Sequence, residues 1–577
     1  MPSLAFSIPF LPVTGRKNYH SGKNDQPFHP VLHRHQKYEK NGYMGQRAAV
    51  RKLNNDKGVV FYMFKYLHLS AVKKKQIMNN DILMSRNELV QFLRKPADQF
   101  TSDDIIRFIE TKGIKMVNFR YAADDGKLKS LNFVPYSRDH LAAILTAGER
   151  VDGSSLFSFV EAGSSDLYIM PRYRTAFVNP FAQSPTLEIL CSFYNSEGKP
   201  LESSPEYILR KAIMRFKEAT GYTIRALGEL EYYVRSETDE LYPLFDQKGY
   251  HQSKPFSKFE DLRVEALELC ARAGCHIKYG HSEVGSFSKD GNDYEQHEIE
   301  FLHVPLDEAV EQLLIAKWIL RMLGYEYGVE VSFAPKITVG KAGSGMHIHM
   351  LLEKDGLNLM IEDGHLSDTA KKMIAGILDL SRGLTAFGNT IPTSYLRLVP
   401  HQEAPTNICW GDRNRSVLVR VPLGWLGASQ MIHDANPAEQ AGGEEKISRQ
   451  TVELRSPDGS ANIYLLMAGL AVAIQHGLEM PGALEMADRL YVNYNIFKEK
   501  EKTAQKKLES LPASCWDSAE ALLSLRHHFE KDGIFPAGMI DSVAKKLKAY
   551  NDQKLSEELY GNNEAIAKLV KQHLHCG

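Results

Sequence analysis

Two short apolar stretches each carry a pair of ionisable side chains two residues apart, and this spacing constrains the fold more than any other feature of the chain. In Gly228-Glu229-Leu230-Glu231-Tyr232-Tyr233-Val234 the two-residue period of a β-strand sends both carboxylates to one face. Like charges so placed on a mostly apolar strand cost stability unless a cation joins them. Oxygen ligands of this kind suit Mg2+ or Mn2+. Gly343-Ser344-Gly345-Met346-His347-Ile348-His349 repeats the spacing with imidazoles, on a strand entered through a glycine turn where backbone can approach a ligand closely. One imidazole then serves as a metal ligand and the other as a polar contact.

An arginine set follows: Arg397, Arg413, Arg415, Arg420 and Arg455, beside short strands bounded by glycine and proline. Guanidinium forks match phosphate and carboxylate groups, so five together suggest a polyphosphate and a dicarboxylate held side by side. The chain has no GxxxxGKS/T loop and no GxGxxG opening a helix after a strand. A nucleotide must therefore be gripped by side chains and metals. GxSxG and reactive-cysteine signatures are also absent.

With 70 Lys and Arg against 71 Asp and Glu, the chain has no net field to gather nucleic acid or an anionic membrane. Its six cysteines show no CxxC pair or zinc-finger spacing and read as reduced cytosolic thiols. No apolar run reaches the roughly 20 residues needed to span a bilayer. The N-terminal MPSLAFSIPFLPVTGRK lacks the basic lead and cleavage site of a secretory signal.

The chain length suits several domains. Residues 1–83 read as a basic, tail-like extension, since residues 1–80 hold fourteen Lys or Arg against three Asp or Glu. Regular patterning begins with the amphipathic stretch Asn87 to Leu93. A helix is predicted over Ser102 to Lys112, with Ser102 as its cap and Ile105, Ile106 and Phe108 as its apolar face. Lys115 to Tyr121 and Lys127 to Val134 alternate around Asp124-Asp125-Gly126, a hairpin signal. Further strands are expected at Asp166 to Met170 and Thr186 to Phe193, and a long helix at Pro305 to Leu323. The expected organisation is a tail at 1–83, a small β-rich domain over 84–200 and a large α/β domain over 201–577.

In order and spacing, six motifs resemble the glutamine synthetase family: Asp152-Gly153-Ser154-Ser155, Glu229-Leu230-Glu231, Gly343 to His349, Arg397-Leu398-Val399-Pro400 with Glu403-Ala404-Pro405, Arg413-Asn414-Arg415-Ser416, and Glu453 to Asp458. The resemblance implies an α+β chain, in which a β-grasp-like N-terminal domain precedes a glutamine synthetase-type α/β catalytic domain. It also implies ATP-driven ligation of ammonia to the γ-carboxylate of glutamate, with two or three Mg2+ or Mn2+ ions. By it, one metal would be held by Glu231, Glu283 and Glu298, and the other by Glu229, His347 and Glu453. Arg397, with Gly343, would grip glutamate, while Arg415, Arg420 and Arg455 would clamp the transferring phosphoryl group beside His349. Asp152 would bind and deprotonate ammonium near Tyr250, and Glu403 would close over the intermediate. Asp166 matches a further acidic position, and both aspartates would reach the adjacent subunit's site in a cytoplasmic ring-shaped homo-oligomer, a dodecamer by the resemblance.

The chain departs from the family pattern at three places. Ala342 stands where an asparagine precedes the first glycine of GSGMHxH, Lys278 replaces an acidic residue, and the segment between Glu283 and Glu298 is longer. These departures leave open a γ-glutamyl-amine ligase acting on a larger amine, and a non-catalytic relative with a structural role. Buried charges are costly without ligands, and retention of every assigned metal ligand and phosphate arginine argues against the second.

Overall fold

The computed structural model describes residues 82–123, 126–160, 165–399, 404–424, 428–439, 449–559 and 561–577. The expected tail at 1–83 therefore falls almost wholly outside the described residues, as do Asp124, Asp125 and Glu403. Asn87 caps the helix Glu88–Leu93, its side chain accepting from the backbone N–H groups of Leu89 (2.9 Å) and Val90 (3.2 Å). The helix Ser102–Lys112 spans the predicted residues, but its cap is Thr101. That residue is extended, as a cap must be, and it exchanges reciprocal hydrogen bonds with Asp104, so Ser102 already lies inside the first turn.

The first sheet holds β1 (Met116–Ala122), β2 (Leu128–Phe133), β3 (Glu149–Asp152), β4 (Asp166–Pro171), β5 (Phe177–Val178) and β6 (Thr186–Tyr194). Its order is β2-β1-β6-β4-β3, with β5 also beside β6. The predicted hairpin is β1 and β2, antiparallel, while β1 and β6 run parallel at the centre. Apolar side chains alternate onto one face, where Val117, Phe119, Leu187 and Ile189 pack with Leu89, Ile105 and Phe108 into the core of a small domain.

The second sheet is larger: β7 (Thr223–Glu237), β8 (Ile277–Lys289), β9 (Asn292–Phe301), β10 (Val304–Pro305), β11 (Glu330–Ser332), β12 (Met346–Lys354) and β13 (Leu357–Asn358). A separate hairpin, β14 (Ile361–Glu362) and β15 (His365–Leu366), follows, and β16 (Trp410–Asp412), β17 (Val419–Val421) and β18 (Val452–Leu454) return to the sheet. The main order is β16-β17-β18-β12-β7-β9-β8. Leu230, Tyr232 and Val234 turn one face of β7 into the core. Full burial of Leu230 or Val234 stabilises by about 1.5–3 kcal/mol. The helix Leu306–Tyr327 packs against this face, and Gly228 lets it approach, because a Cβ there would stand 2.7 Å from the Leu313 side chain. The opposite face of β7 carries the carboxylates.

The longer segment between Glu283 and Glu298 is the β8–β9 hairpin, turned at Asp290-Gly291 with both residues at positive φ. The helix Leu306–Tyr327 also ties the two domains together. Its buried Glu311 accepts hydrogen bonds from Arg172 and from Arg174 (2.8 Å), both in the loop after β4. Among the described residues no single helix is long and apolar enough to cross a membrane.

Candidate active site

Strand register assembles the site. Across β7–β12, Glu229 opposes His347; across β7–β9, Glu229 opposes Glu300 and Glu231 opposes Glu298. Glu453 on β18 opposes His349 on one side and Arg420 of β17 on the other, and His281 of β8 opposes Glu298. Directly opposed side chains are near neighbours. Residues separated by hundreds of positions thus meet on one face.

Glu229 joins both histidines: its Oε2 lies 2.8 Å from His347 Nδ1 and its Oε1 2.9 Å from His349 Nε2. The other nitrogen of His349 lies 3.0 Å from Thr451 Oγ1. Glu453 has no solvent exposure and accepts from Arg420 (2.8 Å) and Arg455 (2.6 Å). One buried carboxylate therefore holds two guanidiniums in place. Arg397 is fixed by the carbonyls of Ser456 (2.9 Å) and Arg455 (3.2 Å). Gly345 makes room for it, since a Cβ there would lie 2.5 Å from the Arg397 guanidinium. Glu231 accepts from the Gly345 amide (2.7 Å) and from Gln296 (3.1 Å), so the glycine turn also anchors an acidic residue.

These groups border a cavity of about 770 Å³ lined by Glu229, Glu231, Tyr250, Glu283, Glu298, Gly343, His347, Arg397, Arg415, Arg420 and Arg455. His349 and Glu453 lie buried behind its wall. Its lining combines carboxylates with guanidiniums, a set that suits metal ions and phosphate in one site.

Burial, followed by the charges of Glu229 and Glu231, pushes Glu298 well above the usual carboxylate range. Burial opposes the charge on His349, but Glu229 and then Glu453 outweigh it and raise its pKa to about 9. Donor atoms within 4.8 Å of one another occur in three sets: Glu229, His349 and Glu453; His281, Glu283 and Glu298; and Glu229, Glu298 and Glu300. Crowded carboxylates with imidazoles at their margin fit divalent cations, so the donor chemistry agrees with the metals that the motifs imply.

The family model for the glutamine synthetase catalytic domain matches residues 202–546, and that for the glutamine synthetase β-grasp domain matches residues 113–196. The chain belongs to the glutamine synthetase family. Glutamine synthetase of Thermotoga maritima is 30% identical over 435 residues, covering 73% of this chain and 90% of that one. Glutamine synthetase of Thermus thermophilus is 29% identical over the same length and coverage. A cryo-EM structure of Plasmodium falciparum glutamine synthetase has a TM-score of 0.64 at 18% identity, covering 81% of this chain and all of that one. The structure of GmaS without ligand has a TM-score of 0.62 at 19% identity, covering 78% and 96%. These two structures share the fold, a β-grasp N-terminal domain followed by the large glutamine synthetase catalytic domain.

Not every residue expected at a glutamine synthetase site lines this chain's cavity. Asp152 and Asp166 face each other on the exposed β3–β4 pair, outside the cavity. The hydroxyls of Ser155, Ser154 and Ser165 hold the Asp152 carboxyl well below the usual range. Glu298 borders the cavity, whereas the nearby Glu295 is turned away and accepts from Ser257 Oγ and the Lys258 amide (2.8 Å). Lys278 donates to Glu300 (2.6 Å), and the backbone of Ala342 is held by Gln247 (2.7 Å) and the Tyr233 hydroxyl (3.0 Å).

Sequence reasoning missed His281, Tyr279, Gln247 and Gln296, all of which line the cavity. A signal for His281 existed: His281-Ser282-Glu283 has the same two-residue spacing as the acidic and histidine pairs.

Proposed function

We propose that this member of the glutamine synthetase family joins ammonia to the γ-carboxylate of L-glutamate at the cost of ATP, giving glutamine, ADP and phosphate. The observation that carries this reading is that Arg397, Arg415, Arg420 and Arg455 line one cavity together with Glu229, Glu231, Glu283 and Glu298. Glu231, Glu283 and Glu298 would hold one divalent cation, and Glu229, His347 and Glu453 another, with Mg2+ or Mn2+ as the ion. When bound, these ions neutralise phosphate charge and orient the reacting oxygens.

Arg397, pinned by two backbone carbonyls, positions glutamate beside Gly343. A γ-carboxylate oxygen attacks the terminal phosphorus of ATP, ADP leaves, and γ-glutamyl phosphate forms. Arg415, Arg420 and Arg455 stabilise the charge spread over the transferring group. Arg420 and Arg455 need little reorganisation, because Glu453 already holds them. Asp152 of an adjacent subunit binds ammonium as an anion and takes its proton. The freed ammonia attacks the acyl carbon, and the phosphate leaves and takes up the further proton that the nitrogen gives up, as hydrogen phosphate. Asp166 lies beside Asp152, Tyr250 bounds the amine pocket, His349 orders the phosphate side through Glu229, and Glu403 excludes water from the acyl phosphate. The active assembly is a ring-based homo-oligomer, a dodecamer in this reading, in the cytoplasm.

A phosphate-release assay with glutamate, ATP and Mg2+ or Mn2+, comparing ammonium with ethanolamine and polyamines, tests the assignment. Ammonium should have the highest kcat/KM. Asp152→Asn should lower turnover by about 10²–10⁴, the range for losing a positioned base, with ATP binding retained. A higher kcat/KM with one of the larger amines would replace this reading by a γ-glutamyl-amine ligase.

A further inference from the structure

The acidic wall of the cavity contains an imidazole that the motifs did not assign to a metal. His281 sits on β8 opposite Glu298 of β9. Its Nε2 lies 3.6 Å from Glu298 Oε1, and its Nδ1 lies 3.9 Å from Glu283 Oε2. Both separations are too long for hydrogen bonds. The Nε2–Glu298 separation is close to the roughly 3–4 Å expected between neighbouring donors around one ion with bonds of about 2.1 Å. One donor atom from each of the three residues lies within 4.8 Å of the others.

The tautomer is set locally. His281 Nδ1 lies 3.0 Å from the Ser282 carbonyl, and a carbonyl can only accept, so Nδ1 carries the proton. Nε2 then keeps its lone pair and presents it on the Glu298 side, the arrangement in which a histidine ligates a metal. The ring is held between neighbours, with the rings of His251 at 4.5 Å and Tyr250 at 5.4 Å.

Register explains how Glu283 comes to the same place. Ser282 opposes His297 and Ser286 opposes Glu295, so Glu283, Val284 and Gly285 together face Gln296 alone. This bulge brings Glu283 and Val284 to the cavity wall, a use of bulges common beside active sites. Glu231, the remaining carboxylate of the proposed metal site, accepts from the Gly345 amide and Gln296.

We propose that His281 is a metal ligand, joining Glu283 and Glu298 beside Glu231 in a mixed nitrogen and oxygen centre that favours Mn2+ or Co2+ over Mg2+. The proposal rests on the reading of this wall as a divalent-cation site. Its selectivity follows from ligand type: Mg2+ is hard and takes oxygen, whereas imidazole suits the transition ions.

The test is calorimetric titration of the assembled full chain with Mn2+, Co2+ or Mg2+ alone, comparing wild type, His281→Gln and Glu298→Gln, with the visible spectrum of the Co2+ form as a second readout. His281→Gln should weaken one Mn2+ site by about tenfold or more, shift the Co2+ absorption and change Mg2+ affinity far less. If His281→Gln binds Mn2+ as wild type does while Glu298→Gln loses a site, the imidazole is not a ligand and the metal wall stands. If neither variant alters binding, the metal reading of this wall itself fails. Should His281→Gln not assemble, pulsed EPR of Mn2+ in a His347→Gln, His349→Gln protein decides the matter. Imidazole nitrogen coupling must persist there if His281 ligates, and its absence overturns the proposal.

Discussion

Asp152 and Asp166 stand directly opposite one another across β3 and β4, two like charges in register on an exposed strand pair. Such a pair is destabilising by itself, and Arg150, 3.8 Å from Asp166, relieves only part of it. In the proposed function this pair belongs to an ammonium site completed by another subunit. Co-assembled hybrids of Asp152→Ala and Arg415→Ala subunits should therefore regain activity that neither variant shows alone, because some interfaces then combine two intact halves. No rescue in hybrids verified by mass would separate the aspartates from the arginines' site.

Ala342 lies at the cavity wall with its N–H donated to Gln247 and its carbonyl accepting from Tyr233. It adds no polar side chain to the proposed glutamate site. Ala342→Asn should lower the glutamate KM by about threefold to tenfold with kcat little changed, since one ground-state contact affects binding uniformly. A change in kcat alone, or in amine preference, would place position 342 elsewhere in the reaction.

Removal of residues 1–81 should leave turnover within about a factor of three, as they carry no matched motif. The truncation must spare Ile82, which is buried in the core of the small domain. A large loss of turnover with the assembly intact would assign those residues a catalytic role.

Lys317 is buried in the helix Leu306–Tyr327 and donates to the Gly459 carbonyl (2.7 Å). Burial, and then the neighbouring Arg321, pulls its pKa down to about 7. An unfolded lysine titrates near 10.4, so between about pH 7 and pH 10 the unfolded chain binds more protons and stability rises with pH. That contribution is lost as pH falls towards 7. Against Lys317→Met, wild type should gain roughly 1.4 kcal/mol per pH unit across this window, measured by urea unfolding. A pH-independent difference between the two proteins would contradict a depressed lysine.

Short-range pattern made much of this protein legible. The helix at 102–112, the β1–β2 strands and the long helix after Pro305 follow from periodicity, and the paired glutamates and histidines declare their common face through the two-residue period of a strand. The motif order was enough to indicate the family. Tertiary structure alone decided which of these faces meet. The register of β7 against β12 and β9 brings Glu229 to His347 and Glu231 to Glu298, and β18 carries Glu453 between His349 and Arg420. It also brought His281 to the acidic wall and left Asp152 and Asp166 outside this chain's cavity. The physical reason is range: side-chain alternation is a property of neighbouring residues, whereas strand pairing is chosen by the packing of a whole buried face, which no local window of sequence contains.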